Sequence, residues 1–252
     1  NGGNRFGTRS IHGLLLAEQL EALEKRIPTL AKEEAFVFSR LRKLAPSPDV
    51  DVIFDPVARE AWLERLWGYV STLPDSFNAL KANVLHRRLD HDRRLGKYDR
   101  GRFEAYLAVP RQVGYANPEW LRGAVSRGVA CTLDRGFGDV LQIDAPVGND
   151  EPLVREYFLQ LFVEDGRKRV TSGEELARPF YDRVRDSWLR PVLAEALITS
   201  GIGKPEDWTS LIGASAFQSL KDRTDVDFPA NNPEFFRSGE AVKFDVRVKN
   251  VA

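Results

Sequence analysis

Apolar residues recur at helical spacing through most of this chain, and this periodicity constrains the fold more than any other feature. Leu16, Leu20, Leu23 and Ile27 follow the i, i+4, i+7 pattern of one helix face. A heavier stripe with the same period runs through residues 62–73. The sequence therefore predicts a mainly α fold of roughly nine or ten helices, arranged as a multi-helix bundle or a loose α-solenoid.

Prolines indicate where several of these helices begin or break. Asp55 followed by Pro56 is typical of a helix start, because Asp is a good N-cap and Pro is tolerated in the first turn. Pro179 and Pro191 lie inside the longest helical pattern, residues 176–197. A proline there removes a backbone donor and clashes with the preceding turn. We therefore expect that pattern to be kinked or broken.

One segment near the C-terminus has the period of a β-strand. Residues 241–249 alternate without a fault, with Val242, Phe244, Val246 and Val248 on one side and charged residues on the other. This predicts an isolated C-terminal β-strand. Since a strand cannot satisfy its backbone hydrogen bonds alone, we expect it to pair with a weaker upstream strand, a protein partner or a missing C-terminal domain.

Composition shifts divide the chain into three predicted parts. Residues 1–45 form an N-terminal helical pair, and a linker rich in Pro and Asp separates them from a main helical domain at residues 55–222. Residues 223–252 form an extended connector and the β-strand, the possible start of a missing β domain. The N-terminus has no initiator Met and no signal-peptide core, so we expect a fragment of a larger protein.

The overall composition excludes several classes of protein. Lys plus Arg and Asp plus Glu number 37 each, so the chain has no global field to attract nucleic acid or a membrane surface. The hydrophobic content of 42% is that of a soluble globular protein, and no apolar run is long enough to span a bilayer. A single cysteine, Cys131, excludes an internal disulfide. Composition leaves the cellular compartment undetermined.

The common catalytic and cofactor motifs are absent from the sequence. There is no HExxH, CxxC, GxSxG or Walker motif, and residues 201–204 match only the tail of a phosphate loop. His86 and Asp90 are four residues apart and could supply two metal ligands, fewer than a zinc site needs. We therefore predict no catalytic residues, no cofactor and no metal site, and we favour a protein that is not an enzyme.

A polar cluster on an apolar helix face is the first candidate binding site. In the helix predicted before Gly96, Arg88, His91 and Asp92 point into the apolar arc. Their spacings of three and four residues let them touch, and a charge placed against a core must be paired. The pattern predicts either a structural ion pair or a ligand pocket in which His91 titrates.

A local surplus of basic residues is the second candidate site. Basic residues outnumber acidic ones between His86 and Arg111, and aromatic residues lie nearby, which is typical of a phosphate or nucleic-acid patch. The interleaved acidic residues cancel phosphate attraction and make nucleic acid an unfavoured partner. The residues of this predicted basic patch are Arg87, Arg93, Arg94, Lys97, Arg100 and Arg102.

The C-terminal segment also resembles a known family. Residues 235–251, FFRSGEAVKFDVRVKNV, resemble the opening strand of β-sandwich modules in large bacterial macroglobulin-like proteins. The resemblance implies a scaffold or surface role in a larger protein and no activity in this part of it. The chain departs from that family at the Cys-Gly-Glu-Gln thioester motif, since Cys131 is followed by Thr132.

Three functional hypotheses follow from these features. The first is a non-enzymatic helical scaffold or protein-interaction domain. The second is an enzyme or ligand-binding domain with a polar pocket around Arg88, His91 and Asp92. The third is phosphate or nucleic-acid binding through the Arg87–Arg111 basic patch.

Overall fold

Helices make up most of the structure. The computed structural model describes residues 5–141, 145–168, 173–233, 236 and 238–249. These residues contain thirteen α-helices and one two-stranded antiparallel sheet, so the predicted mainly α fold class is confirmed. Among the helices in these ranges, none has both the length and the hydrophobicity needed to cross a membrane.

The helices and strands are numbered in chain order. The helices are α1 (Ile11–Leu14), α2 (Ala17–Arg26), α3 (Glu34–Lys43), α4 (Pro56–Val70), α5 (Asn78–Arg94), α6 (Arg100–Ala108), α7 (Pro118–Ser126), α8 (Gly138–Leu141), α9 (Glu151–Lys168), α10 (Gly173–Ala177), α11 (Asp186–Thr199), α12 (Pro205–Ile212) and α13 (Ala214–Asp222). Short 3-10 helices are Pro28–Lys32, Asp75–Phe77 and Arg178–Phe180. The strands are β1 (Asp225–Asp227) and β2 (Arg247–Lys249).

Backbone contacts divide the chain into two compact units. Each unit is assembled from segments that are distant in sequence, and α5 contributes residues to both. The predicted domain limits at residues 45, 55 and 222 stay a prediction, because compact units need not coincide with contiguous domains. Unit 1 comprises Asn1–Arg88, Val109–Gln112 and Gly123–Asn149, and unit 2 comprises Leu89–Ala108, Val113–Arg122 and Asp150–Ala252.

The core of unit 1 is built around α4. Its N-cap is Asp55, whose carboxylate accepts hydrogen bonds from Val57 N at 2.8 Å and Ala58 N at 3.1 Å. With Pro56 in the first turn, this confirms the helix start predicted from the sequence. The buried apolar residues of α3, α4, α5 and α8 form one cluster, which includes Val37, Leu41, Trp62, Leu63, Leu66, Val70, Leu80, Val84, Val140 and Leu141.

The core of unit 2 is aromatic and centres on α9 and α11. The Phe158 ring of α9 lies 4.9 Å from Phe103 and 5.2 Å from Phe180, both in edge-to-face geometry. Gly166 lets α11 approach α9 closely, because a Cβ atom at this position would lie 2.8 Å from Leu197 Cδ2. A larger residue at position 166 would therefore push these two helices apart.

The two prolines of the longest helical pattern have different effects. The helix breaks near Pro179, where α10 gives way to the 3-10 turn Arg178–Phe180, and α11 begins only at Asp186. Pro191 lies inside α11, which continues to Thr199. The predicted break is confirmed, and it leaves an irregular segment between α10 and α11.

A buried carboxylate at the start of α9 joins three segments of unit 2. Asp150 is 1% exposed, and its Oδ2 atom accepts the hydroxyl hydrogens of Tyr106 and Tyr115, each at 2.7 Å. Its carbonyl accepts the first backbone bond of α9, from Val154 N at 3.0 Å. Because a buried charge is tolerated only when it is hydrogen-bonded, the two tyrosines and Asp150 require one another.

The C-terminal strand is shorter than predicted and has a partner within the chain. β2 pairs antiparallel with β1, while residues 241–246 have no regular secondary structure. The backbone of Asp245 is hydrogen-bonded to a side chain instead of a strand. Asn232 Nδ2 donates to the Asp245 carbonyl at 2.8 Å, and Asn232 Oδ1 accepts from Asp245 N at 2.7 Å. The weaker upstream strand therefore exists, inside the segment predicted to be an extended connector.

We expect Asp150→Ala to lower the free energy of unfolding by about 3 kcal/mol, because two buried hydroxyls lose a charged acceptor. Asp150→Asn keeps an amide oxygen in the same place and should cost about 1 kcal/mol. Urea denaturation followed by tryptophan fluorescence measures both differences. If Asp150→Ala has the same free energy of unfolding as wild type, this carboxylate does not have the role assigned to it.

Candidate functional site

The three residues of the predicted polar cluster are all buried. Arg88, His91 and Asp92 lie on α5 and are 5%, 4% and 2% exposed. Arg88 belongs to unit 1, whereas His91 and Asp92 belong to unit 2. The two charged members have separate partners, each within its own unit. The prediction that these residues form a ligand pocket is not tested by these contacts and stays a prediction.

Arg88 is held by two residues of α4. Its Nη2 atom donates to Glu64 Oε1, and its guanidinium carbon lies 5.7 Å from the centre of the Trp67 ring. Glu64 and Trp67 are three positions apart and so lie on the same face of α4. The carboxylate and the aromatic face together compensate the buried positive charge.

Asp92 is held by Arg102 of α6. Arg102 Nη1 donates to both carboxylate oxygens of Asp92, at 2.7 and 2.8 Å. Burial raises the pKa of the Asp92 carboxyl, and the positive charge of Arg102 only partly offsets this effect. This pair stabilises the packing of α6 against the end of α5 within unit 2.

Most of the predicted basic patch is neutralised by carboxylates. Arg87, in unit 1, instead donates to the Asn83 side chain at 2.9 Å and to the Ala145 carbonyl at 2.7 Å. Lys97 is exposed. These contacts weigh against phosphate binding, which stays a prediction. The ion pairs are Arg93 with Asp90 and Glu156, Arg94 with Asp90, Arg100 with Glu104 and Asp165, and Arg102 with Asp92.

Asp90 lies between two arginines of its own helix. Arg93 Nη2 is 2.7 Å and Arg94 Nε is 2.9 Å from its carboxylate oxygens. Burial alone would raise the pKa of Asp90, but these two positive charges outweigh burial and leave the pKa below its ordinary value. Asp90 therefore stabilises the folded state when it is ionised.

The metal-ligating residue types are not clustered in the described part of the chain. No group of three or more His, Cys, Asp or Glu residues there could hold a metal ion. Cys131 is buried in unit 1, where its backbone N–H donates to the Pro110 carbonyl at 2.9 Å.

Unit 2 contains a cleft that the sequence did not reveal. Its volume is about 670 Å³, within the range of sites that hold small ligands or short peptide segments. The walls come from the start of α7, from α10 and the 3-10 turn that follows it, and from the first turns of α11. The charged and aromatic residues of this arginine cleft are Glu174, Arg178, Tyr181, Arg185, Asp186 and Arg190.

Backbone contacts hold the walls of the arginine cleft together. Asn117 Nδ2 donates to the Tyr181 carbonyl at 2.7 Å, and Asn117 N donates to the Arg183 carbonyl at 2.8 Å. Arg185 N donates to the Tyr115 carbonyl at 2.9 Å. These bonds join the start of α7 to the irregular segment before α11, so the cleft does not depend on a ligand for its shape.

One of the three arginines of the cleft is neutralised within the cleft itself. Arg190 Nη2 lies 3.1 Å from Glu174 Oε1 and 3.6 Å from Asp186 Oδ2. Its guanidinium carbon is also 6.0 Å from the centre of the Tyr181 ring. Both acidic residues that line the cleft are therefore paired with Arg190.

The other two arginines have no carboxylate partner among the residues that the structure describes. Arg185 donates from Nε to the Ala116 carbonyl at 3.0 Å, a bond that orients the guanidinium without neutralising it. Arg178 is exposed and forms no ion pair with a described residue. Sequence analysis missed this pair because a broken helix separates them, and only the folded segment brings them to one cleft. Pro179 and Pro191 predicted a kink or break in this region, but not a cleft.

Comparisons with known proteins place almost the whole chain in one family. Residues 2–224 match the family model described as the actin-binding protein F N-terminal domain. Actin-binding protein F of Dictyostelium discoideum is 29% identical over 251 residues, which are 98% of this chain and 10% of that protein. The chain thus spans about a tenth of the length of that relative. No solved structure matches the chain.

The resemblance to macroglobulin-like β-sandwich modules is wrong. It rested on residues 235–251 alone, whereas the family match covers nearly the whole chain, most of which is helical. Alternation of apolar and charged residues is common to all half-buried strands, so it cannot identify a family. Residues 235, 237, 250 and 251 of the segment lie outside the described residues, and within the rest only β2 is a strand.

We expect Asp90→Asn to lower the free energy of unfolding by about 1 kcal/mol near pH 6, because the amide loses two charge-assisted bonds. The difference from wild type should shrink as the pH falls below about 4, because the carboxyl is protonated first in the unfolded state and, at lower pH, in the folded state as well. Urea denaturation at pH 6, 4 and 3 measures it. A difference that is independent of pH would show that ionised Asp90 does not stabilise the folded state.

Proposed function

The chain belongs to the actin-binding protein F N-terminal domain family, and we propose that it is a non-enzymatic protein-interaction domain that binds actin. The match of residues 2–224 to that family carries the proposal. The relative is named for binding actin, and this domain is about a tenth of its length. Binding by the domain itself is therefore what experiment has to test.

Buried polar residues of both units are paired with neighbouring side chains. Asp150 accepts from two tyrosines, Arg88 is paired with Glu64, and Asp92 is paired with Arg102. Each charge is compensated by neighbouring side chains, as expected for groups that hold helices together. Contact with a partner would therefore be made by residues on the surface.

An apolar turn in unit 1 exposes three large apolar side chains within the family match. We define it as residues 51–57, which precede α4 and include its first two residues. Ile53, Phe54 and Val57 are 66%, 59% and 74% exposed. Large apolar side chains that are close in sequence and more than half exposed are typical of a surface that a partner covers.

Hydrogen bonds from two aspartates stabilise the conformation of this apolar turn. Asp51 Oδ1 accepts from Ile53 N and Phe54 N, both at 2.9 Å. Asp55 Oδ1 accepts from Val57 N at 2.8 Å, within the N-cap of α4. A segment that is already ordered loses less conformational entropy on binding. We therefore propose that the apolar turn contacts actin.

A second proposed interaction surface is the C-terminal segment 241–249. Only its last three residues pair with β1, and Val242, Phe244, Val246 and Val248 are all exposed. A two-stranded sheet is marginally stable in water, and an open strand edge can accept another strand. We propose that this segment pairs with a strand of a protein partner or of a further domain.

We expect the wild-type chain to co-sediment with filamentous actin in a saturable manner. Phe54→Ser should weaken this binding about fivefold or more, the effect of losing one well-placed aromatic contact. Val125→Ser, which removes another exposed apolar residue of unit 1 (52% exposed), is the matched control and should bind like wild type. Pelleting at a series of actin concentrations measures the three affinities.

The results separate the two parts of this proposal. A wild-type chain that remains in the supernatant at saturating actin would contradict actin binding by the domain. Equal binding of wild type and Phe54→Ser would contradict the apolar turn as the contact, and leave actin binding intact.

For the C-terminal segment, we expect backbone amides of residues 241–249 to exchange rapidly with deuterium when the chain is alone, because few of them are in a stable sheet. The amides of α9 serve as the internal control and should exchange far more slowly. Hydrogen exchange followed by mass spectrometry measures both. Protection of residues 241–249 equal to that of α9 would show that the strand needs no further partner.

A further inference from the structure

We infer that the arginine cleft of unit 2 binds an acidic peptide segment through the carboxylates of its Asp or Glu side chains. The inference rests on the proposed function, because it takes the ligand to be a segment of a protein partner. It adds a binding site and a ligand class that family membership does not supply.

The charge of the cleft carries the inference. Arg178 and Arg185 line one cavity and, in the described part of the structure, neither forms an ion pair. A guanidinium group offers parallel N–H donors that match the two oxygens of a carboxylate. Arg185 is already oriented by its bond to the Ala116 carbonyl, so its side chain loses less conformational entropy when a ligand binds.

The acidic residues of the lining select the kind of anion. Glu174 and Asp186 are engaged by Arg190, but their charges remain in the wall and repel an ion whose negative charge is concentrated at one point. An extended peptide can place separate single charges next to Arg178 and Arg185 and keep away from that wall. The cavity of about 670 Å³ has room for a few residues of such a peptide.

The test uses fluorescein-labelled hexaglutamate and the whole chain, with hexaglutamine as the uncharged control peptide. Fluorescence anisotropy at low salt should show binding of hexaglutamate only. Arg178→Glu should bind it about tenfold more weakly, because one charge-assisted contact is lost and replaced by repulsion. The matched control is Arg167→Glu, which reverses an exposed arginine of α9 that does not line the cleft and should leave the affinity unchanged.

Folding of the variants is not expected to be a difficulty. The Arg178 side chain is exposed and makes no hydrogen bond or ion pair with any described residue. Circular dichroism of Arg178→Glu and Arg178→Gln should therefore match that of the wild-type chain. Arg178→Gln removes the charge without reversing it and should show an intermediate affinity. Absence of hexaglutamate binding, or equal binding by wild type and Arg178→Glu, would overturn the inference.

A competition experiment distinguishes peptide carboxylates from a small anion. Sodium phosphate should displace hexaglutamate no better than sodium chloride of equal ionic strength. Stronger displacement by phosphate would assign the cleft to a small anion and overturn the inference. Co-sedimentation with actin on the same preparations tests the proposed function separately: hexaglutamate binding that depends on Arg178, in a chain that does not bind actin, contradicts the actin proposal and supports the cleft.

Discussion

The carboxylate of Asp150 accepts hydrogen bonds from Tyr106 and Tyr115 inside unit 2, and the surrounding structure depends on this arrangement. α6, the segment before α7 and the start of α9 all meet at this one side chain. Since a buried carboxylate without donors would cost several kcal/mol, the three segments have to be in place together. The same segment before α7 forms one wall of the arginine cleft, so the core interaction also determines the shape of a candidate binding site.

Charge pairing inside each unit determines which side chains remain for a partner. Arg88 and Asp92 are paired, and most of the basic patch is neutralised by carboxylates. The described surface presents, among other features, exposed apolar residues in the apolar turn and in the C-terminal segment, and two arginines in a preformed cleft. Both features are part of the contacts proposed for a protein partner.

Several elements were predictable because their causes are local in sequence. The start of α4 follows from Asp55 and Pro56, the break between α10 and α11 follows from Pro179, and helical periodicity follows from contacts three and four residues apart. The burial of Arg88, His91 and Asp92 was predictable for the same reason, since these residues lie on the apolar face of α5. The family was not predictable from residues 235–251, because a short alternating strand occurs in many folds.

The sequence by itself determined the mainly α class, the positions of the main helix starts and breaks, and the need to pair the charges on the apolar face of α5. Only the tertiary structure decided which residues meet that need, namely Glu64 for Arg88 and Arg102 for Asp92. It also decided that β1 pairs with β2 and that Arg178 and Arg185 share a cleft. The physical reason is that periodicity specifies which face of a helix is buried, whereas the partner of that face depends on how distant segments pack.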